Sequence, residues 1–471
     1  MTTRTPAAAT LRERADFGGD AAATSVGQAV RNYRARLRSG ELGSLPALLG
    51  LALLVLVFTV SSPFFMSLTN LANLLTQGAG RTLIAMGLVF VLLLGEIDVS
   101  AGAASGVAAA LLALHYVNDG NLLGAMGEAV FVVFIAVCAL AVALAVWMRI
   151  WAAAVVAVIP PAIAVMGVTA NPWVEMLLAI SVGAVIGTLT GFLVAKVRIP
   201  SFVITLALFL TWQGVILRLI GDGGVLGINT DPTLRAVANG NLSTASSWVL
   251  FAITVLGFAA VVVGQHIRRG RRGLTTVPVA VIAAKVGTVV LLGGLATWLL
   301  TRNRSQTDAA TIAGIPYVVP VVLTLLVAGT YVLDRTRYGR YIYAVGGNAE
   351  AARRAGVNVT KIRASVFIVS SSLAAVGAIV YSSKVGSVDP TAGGLNTLLF
   401  AVGAAVIGGT SLFGGRGRLS NAVIGGLVVA VVENGLGLLN QPAAIVSIVT
   451  GLVLALAATV DALSRRRSTQ G

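Results

Sequence analysis

Two carboxylates stand two positions apart in the run Gly95-Glu96-Ile97-Asp98-Val99-Ser100-Ala101-Gly102, between two apolar segments. Charge in such a place is costly unless it faces a cavity, a partner or water. One reading makes the run a helix break that lines or braces a path, with Glu96, Asp98 and Ser100 on it. The other makes Asp98 and Ser100 plain caps for a helix that starts near residue 99. In Ile199-Pro200-Ser201-Phe202-Val203-Ile204-Thr205-Leu206, Pro200 falls just inside a helix start, after Lys196 and Arg198. Thr205 is placed to face a bundle interior, and Phe202 is a second candidate for the same path; ordinary packing explains both equally. Charges inside apolar spans are otherwise few. Lys285 falls about ten residues into its span, too deep for easy snorkelling. Glu433 and Asn434 lie toward the outer end of theirs, where water is in reach.

A different kind of chemistry is written between residues 337 and 356, Arg337-Tyr338-Gly339-Arg340 through Arg353-Arg354-Ala355-Gly356, in a loop between two long apolar spans. Asn348 is a good N-cap and Glu350 sits in the first turn. Arg353 and Arg354 sit in the last turn, and Gly356 can close the helix in a left-handed conformation. A short capped helix of this kind, with Gly347 before it and the small Ala351 and Ala352 along it, fits a cleft on a partner and can receive force from a soluble motor. A solvated basic loop is the competing reading. Paired glycines in Ile407-Gly408-Gly409-Thr410-Ser411-Leu412-Phe413-Gly414-Gly415-Arg416-Gly417 mark close helix contact or a bent turn at a span's end.

The elements that must position these residues are membrane helices. Of 471 residues 57% are apolar and 11% charged, with mean hydropathy +0.93, whereas a soluble domain carries roughly 25% charged residues. The expected fold is an all-α polytopic membrane protein of about fourteen transmembrane helices (twelve to fourteen). The spans fall near 45–62, 81–94, 99–116, 129–147, 151–168, 175–195, 201–220, 247–265, 276–300, 315–333, 363–382, 397–413, 419–438 and 442–463. The second and third are short enough to be broken or re-entrant. With both termini cytoplasmic, most Lys and Arg fall on the inside. Arg81, Arg218, Arg235, Lys285, Arg302, Arg304 and Lys384 do not. Residues 1–44 form a cytoplasmic basic tail, disordered or amphipathic over 23–38. The membrane domain is 45–464, with the cytoplasmic loop 334–362, and 465–471 is a second cytoplasmic tail. The outer loop 221–246, with Asp222, Asp231 and Arg235, is either a docking surface or a connector.

The net charge of +16 sits in short loops, where it orients helices and meets anionic lipid. That distribution argues against nucleic acid as a partner. Cys138 is the only cysteine and lies in a span; His115 and His266 lie near span ends. No metal site is therefore expected. There is no glycine-rich phosphate loop, so any ATP that drives this protein is hydrolysed by another chain.

Residues 95–102, 200–206, 338–359 and 407–417, in this order, resemble the permease subunits of bacterial ABC importers for monosaccharides, the ribose/xylose/galactose group. The resemblance covers about 45–464 and is nearest to the D-xylose permease branch. Glu96 stands where ribose-type members have a second glycine. The basic stretch 265–273, the span 276–300 and the apolar region 129–168 suit that larger branch. Ala101 departs from a usual valine, and the tail 1–44 is longer than typical. The resemblance implies a homodimeric pore in the bacterial plasma membrane with the bundle of an ABC-importer permease. It implies an ATP-binding subunit of two fused cassettes that holds the ATP-Mg, and an extracytoplasmic sugar-binding protein. Helix 348–355 would dock into the ATPase. The chain itself would carry no cofactor and perform no catalysis. An ion-coupled secondary sugar transporter is the alternative, with Glu96 and Asp98 as its best support and few other buried acids to serve it.

Overall fold

The computed structural model describes residues 27–28, 31, 43–221, 224–274, 276–305 and 311–469, without side chains at 457–458 and 460–469. The expectations for the tail 1–42 apart from residues 27–28 and 31, for Asp222 and for residues 470–471 lie outside the described residues, as do the side chains of Arg465, Arg466 and Arg467. In chain order the helices are α1 Leu45–Ser61, α2 Leu68–Leu93, α3 Ala101–Val117, α4 Leu122–Met126, α5 Glu128–Trp147, α6 Trp151–Ala157, α7 Ile159–Met166 and α8 Pro172–Phe192. They continue as α9 Ser201–Ile220, α10 Pro232–Asn239, α11 Thr244–Arg271, α12 Val279–Leu300, α13 Val318–Arg335, α14 Arg337–Gly347 and α15 Ala349–Arg354. The last four are α16 Val359–Val385, α17 Leu395–Ile407, α18 Leu419–Leu438 and α19 Ala443–Thr469. The strands β1 Leu226–Gly227 and β2 Ser387–Val388 pair antiparallel, Leu226 opposite Val388. Among the described residues nine helices are long and apolar enough to cross a membrane. Five shorter apolar helices cover 45–61, 101–117, 151–166, 395–407 and 443–456.

Contacts divide the chain into two compact units. The larger is built from Gly43–Asn241 and Pro316–Asp461. Its centre is α16, packed against α2 and α8. Burial against lipid gives helices no hydrophobic reason to associate, so close backbone approach at small residues must do it. Gly183, Gly187 and Gly191 recur every four residues on α8 and meet α16. A methyl group on Gly187 would sit 2.6 Å from the Phe367 carbonyl oxygen and the Ile368 Cα. Gly80 of α2 faces Gly377 of α16 in the same way. The smaller unit centres on Leu242–Ile315. There α11 and α12 pack together with Phe251 against Gly293, and Arg304 donates to the carbonyls of Leu300 and Gly314.

Several boundaries differ from the sequence expectation. The second helix begins at Leu68 rather than near 81 and is continuous and mostly buried. Its first half was obscured by Thr69, Asn70, Asn73, Thr76 and Gln77. All three of these amides are engaged across helices, Asn73 by Lys384 at 3.0 Å. Asn70 and Asn434 exchange hydrogen bonds of 2.9 Å in both directions, and Asn434 also donates to Gln77 at 3.3 Å. Residues 151–168 form two short helices, because Pro160 and Pro161 have no backbone N–H to continue the first. The segment near 397–413 ends as helix at Ile407, where Gly408 packs on Asn421 and Gly409 takes φ +102°. α12 begins at Val279, so Lys285 is nearer its start than expected, and it is exposed.

The α8 to α16 contact gives a direct check. Gly187→Val forces a branched side chain into the α16 backbone and is expected to cost about 1–3 kcal/mol or more, lowering the melting temperature in detergent. Gly214→Val, at a position with no atom near the new carbon, is expected to leave it nearly unchanged.

Candidate functional site

Residues 334–358 are built as an ordered loop. Thr336 caps α14 through Gly339 N–H, at 3.2 Å. Asn348 caps α15 by accepting from the N–H groups of Glu350 (3.0 Å) and Ala351 (2.9 Å). At the far end, Gly356 N–H reaches the Arg353 carbonyl and Val357 N–H the Ala352 carbonyl, each at 3.0 Å, with Gly356 at φ +84°. That is the paired closure a left-handed glycine allows. Glu350 bridges Arg353 at 2.6 Å and Arg354 at 3.4 Å. In α15 only Ala352 is buried, while Glu350, Ala351, Arg353 and Arg354 are exposed. Gly347 is exposed too.

The loop is tied to the bundle through tyrosines and bare backbone. Tyr338 Oη meets Ser365 Oγ of α16 at 2.9 Å, and Tyr343 donates to the Gly417 carbonyl at 2.9 Å. Burial pushes both phenols up to about 12; the Asp334 charge adds to the rise at Tyr343. Gly346 lies against the Leu93 carbonyl, which also accepts from Gly415 N–H at 2.9 Å. Gly95, at φ +74°, and Gly414, at φ +85°, complete the contact. A Cβ on Gly414 would stand 2.8 Å from Gly95 N and 2.9 Å from Gly346 O. Three segments therefore meet where none can carry a side chain.

This contact opens directly onto the run 95–102. Asp98, Ser100 and Thr205 are almost wholly buried. Asp98 is a cap, as one of the two readings has it, and Ser100 is not. Asp98 accepts from the backbone N–H (3.0 Å) and hydroxyl (2.6 Å) of Ser100, at the turn that leads into α3, and from Ser370 at 3.4 Å; Ser100 makes no side-chain cap bond. The N–H groups of the residues on either side of Asp98 are met by α9: Val99 donates to Thr205 (3.1 Å) and Ile97 to Ser201 (3.2 Å). Pro200 is the cap residue of α9, one position before the helix proper. Glu96 lies 3.2 Å from Arg363, in the second turn of α16. Both line a cleft of about 220 Å³ shared with Arg198, Ser201 and Arg353. Phe202 is 53% exposed on the outer side of α9 and is not part of this cluster.

Glu433 and Asn434 are brought together elsewhere, on α18. Asn434 is buried against Asn70. Glu433 forms an ion pair with Arg81. The sequence expectation puts Arg81 at the start of a span, and the helix Leu68–Leu93 places it in mid-span. His115 and Glu175, both fully buried, pair at 2.7 Å. Glu175 sits in the first turn of α8, where nothing local marks it as the partner of His115. In each missed pair the partners are 60 or more residues apart, and no local pattern links them. Among the described residues no group of three or more His, Cys, Asp or Glu is placed to hold a metal ion.

Nine helices long and apolar enough to cross a membrane, among the described residues, with an ordered loop between two of them, define a multi-pass membrane protein. The chain belongs to the family described as branched-chain amino acid transport system / permease component, which matches residues 70–458. It is similar to the xylose transport system permease protein XylH of Escherichia coli K12, 31% identical over 86% of this chain and 87% of the relative. The Haemophilus influenzae XylH is 30% identical over 92% and 99%. The ribose import permease protein RbsC of E. coli K12 is 29% identical over 87% and 92%. No solved structure matches. As a permease component the chain is a protein of the bacterial plasma membrane and is not catalytic on its own.

Thr205→Val keeps the shape but leaves the Val99 N–H buried without its partner. A loss of about 1–3 kcal/mol is expected, seen as a lower melting temperature in detergent, whereas Phe202→Ala should change it little. Gly346→Ala places a carbon on the Leu93 carbonyl and is expected to destabilise at least as strongly as Thr205→Val.

Proposed function

We propose that the chain is the membrane-spanning permease subunit of an ATP-driven ABC importer, forming the path for a monosaccharide, D-xylose in the first instance. The observation that carries the reading is α15: a helix closed at both ends, with Ala352 buried, Ala349 half-buried and its other residues exposed, and tied through Gly346, Gly95 and Gly414 to the break in the bundle. The xylose and ribose names of the relatives support the cargo class.

In this reading two copies form the pore, with fourteen spans each and both termini cytoplasmic. An ATP-binding subunit of two fused cassettes binds the ATP-Mg and receives Gly347, Asn348, Glu350, Ala351, Ala352, Arg353, Arg354 and Gly356. An extracytoplasmic binding protein delivers sugar to the opposite face. Glu96, Asp98, Ser100 and Thr205 belong to the inner end of the path, where the buried Asp98–Ser100–Thr205 cluster acts as the hinge of a gate, and Phe202, on the exposed side of α9, does not. Glu433 and Asn434 belong to its outer part. An ion-coupled carrier needs acids free to take up the ion. Here Glu96 is engaged by Arg363, Glu433 by Arg81, and Asp98 by Ser100 and Ser370.

Glu350→Ala and Arg353→Ala remove the exposed ion pair, whose own stability contribution is small. Both variants are expected to fold normally, to lose at least tenfold in ATP-driven sugar uptake by the reconstituted complex, and to leave ATP hydrolysis running. Normal uptake by both would refute the coupling role.

A further inference from the structure

α2 carries a continuous polar stripe through its first half. Asn73, Gln77 and Arg81 follow at four-residue intervals, so they share one side of the helix. All three are half-buried, while Ala72, Leu74, Thr76 and Gly78 between them are buried. Other helices extend the stripe. Lys384 of α16 donates to Asn73 at 3.0 Å, Asn434 of α18 to Gln77 at 3.3 Å, and Glu433 pairs with Arg81. Rings flank the guanidinium: Phe400 of α17 has its centroid 4.6 Å from the Arg81 Cζ, and Tyr381 of α16 has its at 5.7 Å.

At about 1.5 Å per residue, Arg81 lies roughly 20 Å along α2 from Leu68, near the middle of a 26-residue helix. An arginine at that depth needs a partner, a cavity or water. Glu433 provides the partner, yet Arg81 Nε has no hydrogen bond. A brace between α2 and α18 needs the ion pair alone. It does not need amides leading to the pair from the helix start or two rings beside it. Those are what a neutral sugar needs. Its hydroxyls accept hydrogen bonds from guanidinium and amide N–H groups and donate to carboxylate and amide oxygens, and its C–H face lies on an aromatic ring. Arg81 and Lys384 against the single Glu433 leave a positive balance that disfavours a cation.

We infer that Asn73, Gln77 and Arg81, with Tyr381, Phe400 and Glu433, form the wall along which a neutral monosaccharide passes from the mouth of the bundle at the start of α2 to its middle. This rests on the sugar-permease reading above. The test is labelled D-xylose or D-ribose taken up per ATP hydrolysed by the reconstituted complex with its ATP-binding subunit and binding protein. If the unaltered complex shows no ATP-dependent uptake of either sugar, the sugar-permease reading fails and this inference falls with it. Where it transports, Gln77→Ala and Phe400→Ala are expected to lower the ratio at least fivefold. The reversed pair Arg81→Glu/Glu433→Arg is expected to lower it at least tenfold although a charge pair is restored. All three transporting within twofold of the unaltered complex would make the pair a brace only and overturn the inference. Should the reversed pair fail to assemble, Gln77→Ala and Phe400→Ala, which leave the ion pair in place, decide the matter.

Discussion

Backbone meeting backbone at Gly95, Gly346 and Gly414 is the contact on which the rest of the arrangement depends. Leu93 ends α2 with a carbonyl that must be satisfied, and Gly415 N–H satisfies it. Gly346 can lie against the same carbonyl only because it has no Cβ. A helix end, the loop that carries α15 and the turn before α18 are thereby held at bond distance. Side chains in contact can slide or change rotamer; backbone segments in van der Waals contact move together. A displacement of α15 therefore reaches the break at 95–100 through a short, stiff route.

Beyond that joint, the bundle follows from the scarcity of water. Every polar group inside must find a partner in the protein or face a wet cavity. The reciprocal amide bonds of Asn70 and Asn434, the capture of Ile97 and Val99 N–H by Ser201 and Thr205, and the Arg81–Glu433 and His115–Glu175 pairs all meet that demand. Glycines and alanines at the α8, α2 and α16 contacts supply the close packing that brings these groups into range.

The parts of this structure readable from sequence were the local ones. The capped helix after Asn348, its closure at Gly356 and the helix break at 95–100 are set by residues within a few positions of one another, and each is present. The first half of α2 was not readable, because its asparagines and glutamine look like a loop until Asn434 is known to lie opposite. Arg81 was misplaced for the same reason, and Arg363 gave no sign of its link to Glu96. Asp98 caps the Ser100 N–H from two positions away, a local contact, but the Val99 N–H is met by the Thr205 hydroxyl 106 residues away, a link no local pattern shows. Pairings across helices leave no period in the chain.

Labelled-sugar uptake into proteoliposomes holding this chain, its ATP-binding subunit and its binding protein, with and without ATP, tests the central claim most directly. Uptake that requires ATP and both partners is the expected result. Uptake by this chain alone, driven by a proton or sodium gradient, would contradict the account and return Glu96 and Asp98 to the role of a coupling site.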